Sequence, residues 1–183
     1  MKTLLTAVFA VALISGCKND DPDPVNEEEL ITTVRLTFTA TTGGSPVVVE
    51  WKDADGDGSG APVAGSATLS ANRTYAMTVQ ILNESVTPAE NITEEIEEED
   101  EDHQFFFTKP AALNLTVTYA DADADGKPIG LTNAVTTGAA SSGTLQVTLR
   151  HLLNKSGANV SAGNPANAGG ETDIETLPPF NIT

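Results

Sequence analysis

Asp53, Asp55 and Asp57 followed by Gly58, and Asp121, Asp123 and Asp125 followed by Gly126, set carboxylates at alternate positions ahead of a glycine. Alternating carboxylates can converge on a hard cation while the glycine allows a sharp turn, so calcium is the candidate cofactor at these six aspartates. The pattern covers only the first half of an EF-hand loop. At the twelfth position, where that loop carries a bidentate glutamate, this chain has Ala64 and Thr132. Calcium takes about six to eight oxygens, so each loop would need backbone carbonyls, water or other acids, such as those of the glutamate-rich stretch 94–102. The alternative reading treats each Asp-Gly pair as a turn former between consecutive strands.

The chain has two histidines, His103 beside the acidic stretch and His151 after Arg150. One histidine with carboxylates such as Glu99 and Asp102 offers a weak transition-metal set, whereas a structural zinc site usually has four thiolate or imidazole ligands. His151 is equally readable as a side chain on the solvent face of a strand. No nucleophile motif accompanies either histidine. The carboxylates crowd into loops, away from the apolar strand positions where a raised pKa would favour acid–base work. The sequence therefore points to a non-catalytic protein.

The elements that must carry these loops are strands. Val34, Leu36 and Phe38 alternate with polar residues, as do Val47, Val49 and Trp51, then Tyr75, Met77, Val79 and Ile81. Leu113, Leu115 and Val117 continue the pattern, followed by Leu145, Val147 and Leu149. A period of two with threonine at the outward positions describes half-buried strands. Trp51 and Tyr119, at matching strand ends, are readable either as core residues or as platforms for a sugar or porphyrin.

The chain also aligns with itself, without a gap, at a shift of 68 residues, which carries Asp53, Asp55 and Asp57 onto Asp121, Asp123 and Asp125 and Phe38 onto Phe106. Two units follow, about 26–93 and 94–161. Each holds too few strands for a layered core of its own, so the expected fold is all-β, a single antiparallel β-sandwich of immunoglobulin-like kind with the two units intertwined. In the acidic connector, Thr93 and Ile96 allow one short helical turn, and repulsion among the acids from Glu97 to Asp102 stops it. The tail 171–183 adds a last strand through Ile174, Phe180 and Ile182, which Pro178 and Pro179 should confine to a sheet edge.

Ahead of this domain, Lys2, the apolar run 4–14 and the small residues Ser15 and Gly16 form a secretory signal, too short to span a bilayer. Leu13-Ile14-Ser15-Gly16-Cys17 resembles the lipobox of bacterial lipoproteins, which implies acylation of Cys17, the only cysteine. Residues 1–16 are then the signal peptide, 17–25 a polar tether and 26–183 the domain. Loss of Lys2 takes the net charge from −17 to −18. A surface this negative disfavours nucleic acid and favours cations or cationic partners.

Three stretches, 26–33, 94–107 and 168–175, together resemble a family of small Bacteroidota lipoproteins of unknown function. Some of its members bear the name type 1 periplasmic binding fold. That name implies a doubly wound α/β fold, which the strand pattern and short chain contradict. The lysine and acids behind Cys17 resemble the export signal of surface lipoproteins in that group. The resemblance implies an outer-membrane location, on the cell surface or the periplasmic face, and permits an accessory role beside a TonB-dependent receptor in nutrient or metal uptake. The other expectations are a binding domain that holds calcium and a purely structural or adhesive envelope module.

Overall fold

Every stretch of period-two alternation forms a strand in the computed structural model, which describes residues 30–54 and 60–183. The signal peptide, Cys17, the tether, Asp55 and Asp57 lie outside the described residues. In chain order the elements are β1 (Thr33–Ala40), β2 (Val47–Lys52), β3 (Val63–Ala64), β4 (Ala67–Leu69), β5 (Thr74–Leu82), α1 (Ile92–Glu98), β6 (His103–Thr108), β7 (Leu115–Tyr119), β8 (Thr132–Thr137), β9 (Ser141–Thr144), β10 (Gln146–His151), β11 (Glu171–Thr176) and β12 (Pro179–Ile182). The fold is an all-β sandwich. A six-stranded sheet of order β3-β2-β1-β5-β8-β7 shares its core with two three-stranded sheets, β11-β10-β6 and β4-β12-β9.

The side chains that alternate inward meet in one core. Leu36, Phe38, Met77 and Ile81 of the large sheet bury against Phe105 and Leu149 of one small sheet and Leu69 and Phe180 of the other. Trp51 is half-buried and packs on this core, which favours the core reading over a ligand platform. A second, smaller core of Phe106, Leu153, Val160 and Ala168 lies on the opposite face of β6, beneath the segment that joins β10 to β11.

Both aspartate loops occupy equivalent connections. The first joins β2 to β3, in which Trp51 faces Ala64, and the second joins β7 to β8, in which Tyr119 faces Asn133. These hairpins form the two edges of the six-stranded sheet, on either side of the β1–β5 pair. The repeat is not copied in full. β1 pairs with β2, but their counterparts β6 and β7 part into different sheets. The free edge of β6 is satisfied otherwise: the Phe105 N–H donates to the Ile129 carbonyl at 2.7 Å and the Tyr119 hydroxyl to the Phe105 carbonyl at 2.7 Å. The approach of the 129–130 segment depends on Gly130, at φ 93°, where a Cβ would stand 2.8 Å from that of Phe105.

The sandwich is antiparallel as expected except at one pairing, where β12 runs parallel to β4 while it runs antiparallel to β9. Only strands joined by a tight turn are obliged to run antiparallel, and a long stretch of chain separates these two. The expectation of a single edge strand in the tail needs correction. The C-terminal tail forms two strands, and β12 takes the centre of its sheet. Pro179 is tolerated there because it is the first residue of the strand, where the missing N–H costs least.

The expected helical turn is α1, which buries Ile92 and Ile96 and turns its glutamates outward. It ends at Glu98, within the acid run. β8 stops short of Ile81, and the Thr93 hydroxyl fills the gap by accepting from the Ile81 N–H at 2.8 Å and bonding its carbonyl at 3.2 Å. A side chain thus satisfies backbone groups that the ladder leaves open.

Candidate functional site

The second aspartate loop reverses the chain between β7 and β8. The Asp123 N–H bonds the Lys127 carbonyl at 2.8 Å, the Gly126 N–H bonds the Asp123 carbonyl at 3.0 Å, and Gly126 takes φ 72°. The carboxylates serve the same reversal. Asp121 accepts from the N–H groups of Gly130 at 2.8 Å and Thr132 at 2.6 Å, one on each oxygen. Asp123 Oδ1 accepts from Lys127 N–H at 2.7 Å and Asp125 N–H at 3.1 Å, and Oδ2 from Lys155 Nζ at 2.9 Å. Asp125 is exposed.

Alternation along the loop therefore does not bring three carboxylates onto one point. At Asp123 the positive charge is supplied by the chain itself. The side chains of Asp123 and Lys155 are 1% and 5% exposed, and the ammonium also donates to the Asp100 carbonyl. One lysine in the β10–β11 segment thus ties the aspartate loop to the acidic connector. Burial alone would push the Asp123 carboxyl up, but Lys155 and the N–H groups of Lys127 and Asp125 outweigh it and hold the carboxyl below its ordinary range.

Lys155 escaped the sequence reading, although the repeat contains a signal. The shift that matches the aspartates carries Thr87 onto Lys155, so the second unit has a cation where the first has a neutral hydroxyl. Of the first loop, Asp53 is described, and its N–H donates to the Thr32 carbonyl at 2.8 Å.

The histidines come together. His103 and His151 face each other in the β6–β10 register with ring centroids 5.8 Å apart, and both are buried. A solvent-facing His151 is thus corrected: it continues the inward series of Val147 and Leu149 at period two. Its Nδ1 pairs with Asp173 Oδ1. Asp173 reaches it through a β-bulge, since Leu149 faces Ile174 and Arg150 faces Thr172, which leaves Asp173 as the extra residue of β11. A bulge re-aims a side chain in this way. His103 Nδ1 bonds the Glu99 carbonyl at 3.0 Å, so Glu99 contributes its backbone oxygen to the histidine. Among the described residues no group of three or more His, Cys, Asp or Glu side chains is placed to hold a metal ion.

Tyr119 lies between these clusters. Its ring centroid is 6.1 Å from that of Phe107, and Gln104 Nε2 donates to its hydroxyl at 3.3 Å. Burial pushes its pKa up to about 12, with a contribution from nearby Asp121, so it stays a neutral donor. Like Trp51, it is built into the sandwich.

The fold and these contacts define a class: an all-β sandwich whose described buried charges form cross-links between loops and strands. No protein-family model, curated protein or solved structure matches the chain.

Proposed function

We propose that the chain is an exported lipoprotein, held to a membrane through lipid on Cys17, that carries a non-catalytic β-sandwich binding domain outside the cytoplasm. The observation that carries this reading is Leu13-Ile14-Ser15-Gly16-Cys17 directly behind an apolar run, with the only cysteine at the acylation position. Several acyl chains, at about 0.8 kcal/mol per buried methylene, would make attachment effectively permanent. The non-catalytic part is supported by the buried ionisable side chains, since Asp123 and Lys155 hold each other and His151 holds Asp173. Cys17→Ala should move the protein from the membrane pellet to the soluble fraction and remove incorporation of labelled fatty acid. A Cys17→Ala protein that still incorporates labelled fatty acid and stays in the membrane pellet would defeat the proposal.

A second reading, calcium at the first aspartate loop, is favoured by the contrast between Thr87 and Lys155. The second loop already has an internal ammonium, so calcium there must displace a buried lysine, and the first loop has no lysine at the matching position. Extracellular modules bind calcium with Kd about 0.1–1 mM. At about ten times Kd, calcium would add roughly 1.4 kcal/mol and raise the melting temperature by about 3–6 °C. Asp53→Ala should abolish that rise and Asp125→Ala should keep it. An unchanged melting temperature in the native chain at about 10 mM calcium would rule the reading out.

A further inference from the structure

In each half of the sandwich, the strand ahead of an aspartate loop has one edge against its hairpin partner and one edge facing away from it. In the first half that second edge is covered by β1, with Leu36 opposite Val49 and Val34 opposite Trp51. The 68-residue shift carries Val49 and Trp51 onto Val117 and Tyr119 of β7. There the counterpart of β1 is β6, which belongs to another sheet, so β7 ends the six-stranded sheet with no strand beyond it.

The Ala120 N–H donates to the Thr132 carbonyl at 2.9 Å and the Gly138 N–H to the Asn114 carbonyl at 2.7 Å, so the even-numbered residues of this stretch turn their backbone groups to β8. Period two sends those of Val117 and Tyr119 the other way, where no ladder partner stands among the described residues. The Leu115 carbonyl points with them, while its N–H is taken up by the Leu113 carbonyl at 2.9 Å. The other outer strands are protected in the ways that prevent edge-to-edge pairing. β3 and β4 are only two and three residues long, β9 is four, and β11 carries Glu171, Asp173 and Glu175 and a bulge. β6 is covered by the Ile129 carbonyl and the Tyr119 hydroxyl. β7 has none of these devices. Leu115-Thr116-Val117-Thr118-Tyr119 contains no charge, proline or bulge, and Val117 and Phe107 behind it are only half-buried.

We propose that β7 is the contact through which two copies of this chain associate, the two strands running antiparallel about Val117. A second copy fits because the edge is complementary to itself. The Val117 N–H and carbonyl both face outward, so each Val117 can donate to the other, and the Tyr119 N–H reaches the Leu115 carbonyl of the second copy on either side. Opposed residues share a face, so Thr116 meets Thr118 of the second copy on the outer face while the Val117 side chains meet over the core. The two-fold axis uses up both edges and closes the assembly at a dimer. Each chain carries a net charge of −17, none of it on β7, so added salt should strengthen the pairing by screening the repulsion.

The proposal does not depend on lipid or on calcium, and its test uses the full chain with Cys17→Ala, in which introduced cysteines are the only thiols. Sedimentation should show a monomer–dimer equilibrium with Kd of about 0.1 mM or tighter, in keeping with a contact smaller than that of permanent dimers. Thr116→Cys mixed with Thr118→Cys should oxidise to a dimer about fivefold faster than either alone, because these positions oppose each other, whereas each lies more than about 7 Å from its own copy, beyond the reach of a disulfide. Val117→Pro removes an outward N–H and no bond within the sandwich, and should weaken association about tenfold or more with the melting temperature within about 3 °C. Thr116→Lys with Thr118→Lys, both at exposed positions, is the second variant; it sets like charges opposite each other and should also weaken association. A chain still monomeric at about 1 mM would overturn the assignment and leave the edge to an extended segment of a different protein. So would equal oxidation in the mixture and in the single variants, or association unchanged by both edge variants.

Discussion

Lys155→Met is expected to destabilise the folded chain by about 3 kcal/mol or more, because it removes one partner of a buried ion pair and leaves the other charged. Asp123 would keep its two backbone donors, which places the effect near the lower end of the usual 3–5 kcal/mol range. The Asp100 carbonyl would lose its ammonium donor as well, freeing the acidic connector from the β10–β11 segment. Urea unfolding at neutral pH measures the loss, and Lys155→Met together with Asp123→Asn should recover part of it, since no unpaired charge then stays buried. Stability within about 1 kcal/mol of the native chain would mean that water reaches the pair and screens it.

The same pair sets an acid limb. The Asp123 carboxyl titrates lower in the folded chain than in the unfolded one, whose ordinary value is 3.8. Ionised Asp123 therefore adds stability above that value, and the contribution disappears as pH falls through the lower folded-state value. Asp123→Asn should flatten the stability profile in that acidic window, although it is less stable than the native chain at neutral pH.

Phe180→Ala carries the second large effect. The Phe180 ring is 1% exposed and meets the edge of Phe38 with centroids 5.5 Å apart, so a small sheet is joined to the large one at this contact. Truncation of a buried Phe costs about 3–5 kcal/mol through lost transfer energy and the cavity left behind. At about 2–4 °C per kcal/mol for a domain of this size, the melting temperature should fall by roughly 10 °C. Removal of residues 179–183 should prevent folding, because β4 and β9 share β12 as their common partner. Leu177→Ala, at a half-exposed position just before β12, is the control and should change stability by less than about 0.5 kcal/mol. A truncated chain that still unfolds cooperatively would show that β12 is dispensable.

Much of the strand content is a local property of this chain, and the sequence by itself determined it. Leu36 and Phe38, Met77 and Ile81, and Val147 and Leu149 alternate with polar neighbours, and a pleated strand converts that period directly into one buried face. Short-range effects also explain α1, where two isoleucines find the core and the acids beyond them end the helix. Which strands pair, and in what direction, was decided only in the tertiary structure, because a pairing depends on residues far apart in the chain. β12 became central by closing between two strands whose edges were open, despite a proline at its start. Asp173 reached His151 because a bulge in β11 shifted the register by one residue, and no local pattern marks such a shift. Lys155 became the counter-ion of Asp123 for the same reason: a buried carboxylate needs a cation, and only the folded chain reveals which one stands close enough to supply it.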